Sequence, residues 1–324
     1  MRETSIGGRV SETGLTIAEN APRYGMSRYD SRDDDRSADQ DRAVDYRDPD
    51  RIVRKDRMSG HLAAPARNLD LPRGEERESV SFRDREYHLN GEQSRALSTI
   101  GAFRVVPADD LGDNRSGDTW RSSLKSLADQ GLIERHNVVL DQKKSSVVVL
   151  TKEGKQLLEE HRRDHAGSRQ EYYAGLVKPR ELAHDAQLFR VYRDEGARID
   201  ERGGRVDRVV LDFEFKRDHQ KFLNRKDRPD PPDLGADMRA FADEHHLPIV
   251  DGHLELPDLR IEYQDDDGRF THRDFELVTE HYSRSQIAGK EKAGFFCHRG
   301  AGGRVRGGNA RRGGTPYDPK WMRG

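Results

Sequence analysis

Residues 120–134 read WRSSLKSLADQGLIE and contain the apolar spacing of an amphipathic helix. Trp120, Leu124 and Leu127 stand at positions i, i+4 and i+7, which lie on one face of a helix. Gly131 follows this pattern, and glycine commonly ends a helix in the left-handed conformation. The stretch therefore predicts a helix with one face in a hydrophobic core and the opposite face in solvent.

The segments around this helix predict three helices followed by a two-stranded wing, the order of a winged helix-turn-helix. Pro107 suits the first position of the middle helix, and the hydroxyl of Thr151 can cap the helix after the wing. The predicted elements are helices over residues 92–102 and 118–130, a helix opened by Pro107, strands over residues 132–140 and 146–150 around a turn at residues 141–145, and a closing helix from Thr151.

The solvent face of the helix at residues 118–130 carries short hydroxyls and long cations. Such side chains contact phosphates and base edges when a recognition helix enters the major groove. The alternative is that these charges are the ordinary solvated face of a protein-contact module. The candidate DNA-binding residues are Thr119, Arg121, Ser122 and Lys125 on the helix, and Lys143 and Lys144 at the tip of the wing.

The segment at residues 120–134 and the sequence LTKEGKQL at residues 150–157 resemble MarR-type and related prokaryotic regulators. This resemblance implies a winged helix DNA-binding domain over residues 84–166. It also implies double-stranded DNA as the partner, and it leaves open whether the chain forms a homodimer.

A second predicted unit covers residues 179–298 and follows a linker at residues 167–178. Its order is α-β-β-β-α-β with a charged insert after the first strand, so the whole chain is predicted to be α+β or α/β. The predicted elements are a helix over residues 181–201, a strand over 206–216, an insert helix over 236–245, strands over 257–263 and 270–279, a helix over 285–292 and a strand over 294–297.

Two carboxylates of this unit stand on strands that are predicted to form a hairpin. Asp258 begins one strand, and Glu276 lies near the end of the next. Neighbouring strands can bring both side chains to one divalent cation, and hard cations such as Mg²⁺ favour oxygen ligands. Such a cation can activate water for phosphodiester hydrolysis, and Lys290 on the following helix can supply a positive charge. The alternative is that Asp258 and Glu276 only pair with Arg260 or Arg273.

The motif PDL at residues 257–259, the order of the elements and Lys290 resemble the PD-(D/E)XK nuclease superfamily. With FELVTEH at residues 275–281, the resemblance narrows to the replication-relaxation family of plasmids and bacterial mobile elements. It covers about residues 88–298 and implies a winged helix joined to a restriction-endonuclease-like domain. In that reading Asp258, Glu276 and Lys290 are catalytic, and Asp258 and Glu276 bind Mg²⁺. Val278 departs from the pattern because superfamily nucleases usually carry lysine there, and Lys290 is the candidate substitute.

Both ends of the chain are predicted to be disordered. The chain has 324 residues, of which 36% are charged and 32% hydrophobic, too few apolar side chains for a core of this length. Residues 1–83 mix both charges without periodicity. Residues 299–314 contain seven glycines and five arginines, and the tail at residues 299–324 either follows single strands or RNA or is a plain solvated end.

Several functional classes find no support in the sequence. Cys297 is the only cysteine, so no disulfide or CxxC zinc site is expected. Without a glycine-rich phosphate loop or a long apolar run, neither a nucleotide cofactor nor a membrane partner is expected. Residues His245, His246, His253, His272 and His281 lack metal-ligand spacing, and for His184-Asp185 a structural role is favoured over catalysis.

The sequence therefore predicts a cytoplasmic bacterial DNA-binding protein of the replication-relaxation type. Its second domain is either a metal-dependent endonuclease in mobile-element replication or transfer, or inactive. One alternative is a MarR-like transcriptional regulator whose second domain only mediates protein contacts. Another is a scaffold protein without enzymatic activity.

Overall fold

A computed structural model describes residues 60–112, 119–140, 142–163, 170–227, 232–279 and 282–299, and the backbone of residues 303–304 and 315–316. These residues belong to one unit of mixed α+β structure. Its α-helices are α1 (Gly60–Ala63), α2 (Gly91–Ala102), α3 (Thr119–Asp129), α4 (Lys152–Glu160), α5 (Pro179–Glu201), α6 (Asp212–Leu223), α7 (Leu234–His245) and α8 (Arg284–Lys292).

The strands of the described residues form four sheets. The first sheet is the hairpin β1 (Glu78–Phe82) and β2 (Arg85–Leu89), and the second has the order β3 (Val106–Pro107), β5 (Lys143–Leu150) and β4 (Ile133–Leu140). A small hairpin joins β7 (Ile249–Val250) to β8 (His253–Leu254). The largest sheet contains β6 (Arg205–Leu211), β9 (Leu259–Gln264), β10 (Phe270–Val278), β11 (Phe296–Arg299), β12 (Gly303–Arg304) and β13 (Thr315–Pro316).

Helices α2, α3 and α4 lie within one residue of their predicted bounds. Asn90 and Gln93 form a reciprocal capping box at the start of α2, and the Thr151 hydroxyl accepts from the Gly154 N–H at the start of α4. The predicted turn at residues 141–145 is shorter than expected. Gln142 takes a positive φ of 64°, so β5 begins at Lys143 rather than at residue 146.

The helix predicted to open at Pro107 is not found in the described residues. Pro107 instead ends β3, where it pairs with Val147 on β5. Proline is compatible with this position because β3 lies at the edge of its sheet. A 3-10 turn at Ala108–Asp110 follows, and residues 113–118 lie outside the described part of the chain.

In the second half, the largest sheet combines an antiparallel and a parallel pairing. Strand β9 is antiparallel to both β6 and β10, whereas β10 and β11 are parallel, with α8 between them in sequence. Helix α5 packs its Leu188, Phe189 and Tyr192 into the main core. Val210 of the sheet belongs instead to a smaller core with Phe215, Phe241 and Leu247 of α6, α7 and the following loop.

The predicted strand over residues 206–216 is wrong beyond Leu211, because Asp212 begins α6. Phe213 and Phe215 alternate with acidic residues, which imitates the period of a strand. Asp212 and Glu214 lie in the first turn of the helix, where carboxylates interact favourably with the helix dipole. The other predicted elements of this half agree with the structure to within two or three residues at their ends.

The predicted disorder of residues 1–83 is wrong for residues 60–83, while residues 1–59 lie outside the described part. The segment packs against distant elements. The hydroxyl of Thr99 on α2 donates to the Leu62 carbonyl, and the Tyr192 hydroxyl on α5 donates to the His61 carbonyl. Leu62, Leu69, Leu71, Val80 and Phe82 enter the main core. These contacts span more than 30 residues in sequence, which local charge patterning cannot show.

The described residues 170–178 of the predicted linker are packed rather than extended through solvent. The Gln170 side chain accepts from the Val209 N–H and donates to the Val209 carbonyl, both at 3.0 Å, and Tyr172 is buried. The hydrophobic core runs without interruption from α2 and β5 to α5 and β9. At the C-terminus, β12 pairs with β11 and β13 pairs with β10, so the predicted disorder of residues 299–324 is wrong at these short strands.

Candidate functional site

Helix α3 presents the predicted polar face to solvent. Leu124 and Leu127 are buried, whereas Arg121, Ser122 and Lys125 are exposed. Thr119 is the first residue of α3, but its side chain lies outside the described part. Lys125 forms an ion pair at 2.6 Å with Asp129, one turn further along the helix. An exposed pair of this kind contributes only about 0.3–0.5 kcal/mol, so a phosphate can compete for the ammonium group.

The β4–β5 hairpin carries the two other predicted DNA contacts. Lys143 and Lys144 are exposed at the start of β5, directly after the turn residue Gln142. Val139 pairs with Lys144 in the ladder and is 66% exposed, so the tip of this hairpin combines cations with an apolar side chain. These side chains project into solvent, as contact with a nucleic acid requires.

The β1–β2 hairpin lies beside α3, which the sequence did not indicate. The Gln130 side chain accepts from the His88 N–H at 2.8 Å and donates to the His88 carbonyl at 3.2 Å. The Arg77 guanidinium donates to the Ser126 hydroxyl at 3.4 Å, which adds a cation next to the polar face of α3. Prediction missed this residue because residues 1–83 had no readable periodicity.

The second candidate site surrounds Asp258, the residue before β9. Its N–H donates to the Phe275 carbonyl at 3.0 Å, and its Oδ2 accepts from the Leu277 N–H at 2.8 Å. These two bonds engage the residues immediately before and after Glu276 on β10. The structure therefore brings Asp258 and Glu276 together at one end of the β9–β10 hairpin, as the sequence predicted.

Glu276 is buried and shares its surroundings with Lys290. Its Oε1 accepts from the Tyr282 hydroxyl at 2.7 Å and lies 3.3 Å from Lys290 Nζ. Lys290 also contacts Glu255 Oε2 at 3.0 Å and donates to the Leu256 carbonyl at 3.2 Å. Burial and the nearby Asp258 charge raise the pKa of Glu276 to about 7. Lys290 on α8 thus provides a cation beside Glu276, although Val278 stands where lysine was expected.

Asp212 is a third carboxylate of this region, and it was not among the predicted site residues. Its N–H donates to the Asp258 carbonyl at 3.2 Å, and its Oδ2 lies 2.5 Å from Lys216 Nζ. Burial and the Asp258 charge raise its pKa, while Lys216 opposes the change. Sequence reasoning missed Asp212 because it placed this residue inside a strand rather than at a strand end. We call Asp212, Asp258 and Glu276 the acidic site.

His184 on α5 also contacts the acidic site, through Asp258. Its Nε2 lies 3.6 Å from Asp258 Oδ2, and its Nδ1 lies 3.1 Å from Asp185 Oδ1. Burial lowers the pKa of His184, but the two carboxylates outweigh burial and raise it to about 10. The Arg104 guanidinium lies 3.5 Å from Asp185 Oδ2 and stacks on the Phe213 ring. Arg104 therefore connects the loop after α2 to this site.

The alternative that Asp258 and Glu276 pair with Arg260 or Arg273 is wrong. Arg260 forms a two-pronged pair with Asp274, at 2.7 Å and 2.8 Å, and both side chains are buried. Arg273 lies 3.5 Å from Glu195 on α5. Each arginine therefore has another carboxylate partner. Asp258 instead contacts His184, and Glu276 contacts Lys290.

Two carboxylate oxygens of the acidic site have the chemistry that a divalent cation such as Mg²⁺ prefers. Asp212 Oδ1 and Glu276 Oε2 are buried and have no hydrogen-bond partner in the described part of the chain. Hard divalent cations bind such oxygens. The three carboxylates do not all lie within 4.8 Å of one another. Among the described residues, the three-residue group that meets this distance is Asp265, Asp266 and Asp267 in the exposed turn after β9. The donor set of the acidic site fits the cation, although its oxygens would have to move closer together.

The remaining histidines divide between the surface and the interior. His246 and His253 are exposed, whereas His272 is 6% exposed. Burial and the neighbouring Arg260 lower the pKa of His272 to about 4, which keeps it neutral at pH 7. His281 lies outside the described residues.

Replacement of Glu276 by Gln is expected to raise the thermal midpoint by several degrees at pH 8 and to change it little at pH 4. The folded-state pKa of about 7 exceeds the ordinary value of 4.5, so the folded protein binds more protons in this window. Stability therefore falls as pH rises from 4.5 through 7, and glutamine removes this loss. Thermal unfolding of both proteins at the two pH values measures it. Equal midpoints of the two proteins at pH 8 would contradict the raised pKa of Glu276. The same change in the variant Glu86→Gln, at an exposed position of β2, would also contradict it.

Comparison with protein-family models, with curated proteins and with solved structures finds no match to this chain. None of the helices in the described ranges has the length and apolar character needed to cross a membrane.

Proposed function

We propose that this chain is a DNA-binding protein that docks on duplex DNA through α3 and the β4–β5 hairpin. The observation that carries the proposal is the exposed face of α3, where Arg121, Ser122 and Lys125 stand over the buried Leu124 and Leu127. The succession of α2, α3 and the β3–β5–β4 sheet supports a winged helix, with Lys143 and Lys144 on the wing. A helix with such side chains fits the major groove, and lysines on a flanking hairpin fit the adjacent backbone.

The double substitution Arg121→Ala and Lys125→Ala tests this proposal. We expect it to weaken binding of the full-length protein to a labelled duplex by about 10- to 100-fold at low salt, because two phosphate contacts are lost. The slope of log affinity against log salt should also fall by about two. Fluorescence anisotropy at several salt concentrations measures both quantities. The full chain is used because its core is continuous from α2 to β9.

A matched control replaces Arg202 and Lys221 by Ala. Both are exposed cations in the second half of the described chain. This variant loses the same charge and should retain most of the affinity. Equal losses in the two double variants would reduce the binding to a general charge effect. No duplex binding by the unmodified protein at low salt would refute the proposal outright.

A second candidate function, metal-dependent cleavage of DNA, is favoured by the acidic site. The order α5-β6-β9-β10-α8-β11, with α6 and α7 inserted after β6, supports a restriction-endonuclease-like domain. Asp258 and Glu276 would hold Mg²⁺, which would supply a Lewis acid for phosphodiester hydrolysis. Lys290, 3.3 Å from Glu276, would place a positive charge near the phosphate.

We infer from the combination that the protein acts in replication or transfer of a bacterial mobile element, as the resemblance to the replication-relaxation family implies. Two other functions compete with this one. A transcriptional regulator would bind duplex DNA without cleaving it, and a scaffold protein would do neither. Binding and cleavage assays on the same preparation therefore distinguish all three.

A further inference from the structure

We propose that Asp212 is a ligand of a divalent cation beside Asp258, and that Lys216 competes with this cation for the Asp212 carboxylate. The inference rests on the proposed cation site at Asp258 and Glu276, and it adds a ligand and a built-in competitor to that site. The cation belongs to the oxygen-preferring class of Mg²⁺ and Mn²⁺.

The backbone positions of Asp212 and Asp258 bring the two residues side by side. Strand β6 ends at Leu211, which pairs with Leu259 on β9. The next residue, Asp212, donates its N–H to the Asp258 carbonyl at 3.2 Å. The two aspartates therefore adjoin the last pair of the β6–β9 ladder and are connected by a backbone hydrogen bond.

Two unpartnered oxygens point to a ligand for this group of acids. Asp212 is 8% exposed and Glu276 is 2% exposed. Asp212 Oδ1 and Glu276 Oε2 are both without a hydrogen-bond partner in the described residues. An unsatisfied carboxylate oxygen in the interior is costly, and coordination of a cation removes that cost. Both residues adjoin Asp258: the Asp212 N–H donates to its carbonyl, and the two neighbours of Glu276 in β10 bond to its N–H and its Oδ2.

Lys216 is placed to compete with the cation. It follows Asp212 by one turn of α6, and its ammonium group lies 2.5 Å from Asp212 Oδ2. Its side chain is 60% exposed, so it approaches the buried carboxylate from solvent and can move away without disturbing the core. At this distance the ammonium group already supplies part of the positive charge that a cation would supply.

The experiment measures Mn²⁺ affinity of the full-length protein by isothermal titration calorimetry. We expect Asp212→Asn to weaken the affinity by about 10-fold or more, as loss of a ligand does. Lys216→Met should strengthen it, because a competitor is removed. The two variants thus have opposite signs, which a merely structural role of the Asp212–Lys216 pair would not produce. Since Asp265, Asp266 and Asp267 can also attract the ion, all proteins carry Asp266→Asn and Asp267→Asn.

Matched controls come from the same helix. Asp218 and Lys221 on α6 form an exposed pair at 3.5 Å, away from the acidic site. Asp218→Asn and Lys221→Met should leave the Mn²⁺ affinity unchanged. Thermal midpoints measured without Mn²⁺ confirm that each variant is folded. If Asp212→Asn unfolds the protein, the affinity of the Lys216→Met variant decides the question.

The outcomes separate this inference from the proposed function. If Asp258→Ala abolishes Mn²⁺ binding while Asp212→Asn and Lys216→Met leave it unchanged, the inference is overturned and the cation site at Asp258 stands. If the background protein binds no Mn²⁺, both are overturned. Opposite changes in the Asp212 and Lys216 variants, with unchanged controls, establish the inference.

Discussion

Replacement of Asp258 by Ala should abolish Mg²⁺-dependent nicking of supercoiled plasmid by the full-length protein, with a loss of about 100-fold or more. The reason is geometric, because Asp258 connects several elements around the site. Its backbone bonds join Asp212 at the start of α6 to β10, and its carboxylate lies 3.6 Å from His184. Loss of residues that only support a metal ligand already costs 10- to 100-fold, so loss of a ligand should cost at least as much.

The measurement is conversion of supercoiled to open-circular plasmid with Mg²⁺ or Mn²⁺, with an EDTA sample as the background. Asp266→Ala is the matched control, since it removes an exposed aspartate from the turn after β9 and should leave the rate unchanged. A duplex-binding assay on the same proteins separates lost catalysis from lost docking. Nicking that survives in the Asp258 variant would show that the activity comes from elsewhere, and absence of nicking in the unmodified protein would favour the regulator.

The sequence predicted those parts of the fold that depend on interactions between residues close together in the chain. Short-range signals located helices α2, α3, α4, α5 and α8 and the β4–β5 and β9–β10 hairpins. The pattern of Leu124 and Leu127 located α3, and the cap residue Thr151 located the start of α4. The predicted disorder at residues 60–83 failed because the order of that segment depends on Thr99 and Tyr192, far away in the chain. No periodicity within the segment reports such contacts.

The acidic site shows the same division. The proximity of Asp258 to Glu276 could be predicted because a hairpin places the two residues on neighbouring strands. Asp212 could not, since its place depends on β6 ending at Leu211 and on the ladder between β6 and β9. The alternating phenylalanines after Leu211 gave a strand pattern that helix α6 overrides. Similarly, only the fold shows that His184, 74 residues before Asp258, faces it.

Replacement of Asp274 by Ala should destabilise the protein by about 3–5 kcal/mol, because it leaves the buried Arg260 charge without its carboxylate. Arg260 is 2% exposed and makes two bonds with Asp274. It also donates to the carbonyls of His245 and His246 at the end of α7, at 2.6 Å and 3.0 Å. His272 lies 3.6 Å from Asp274, but its pKa of about 4 leaves Arg260 as the cation that needs this carboxylate at pH 7.

Urea unfolding followed by circular dichroism measures this effect as a lower midpoint with an unchanged slope. The double variant Arg260→Met and Asp274→Leu is the informative comparison. Removing both charges should cost less than removing Asp274 alone, since the remaining loss is that of two part-buried hydrogen bonds to carbonyl groups, about 0.5–1.5 kcal/mol each. If the double variant were the less stable of the two, the cost would lie in packing rather than in an uncompensated charge.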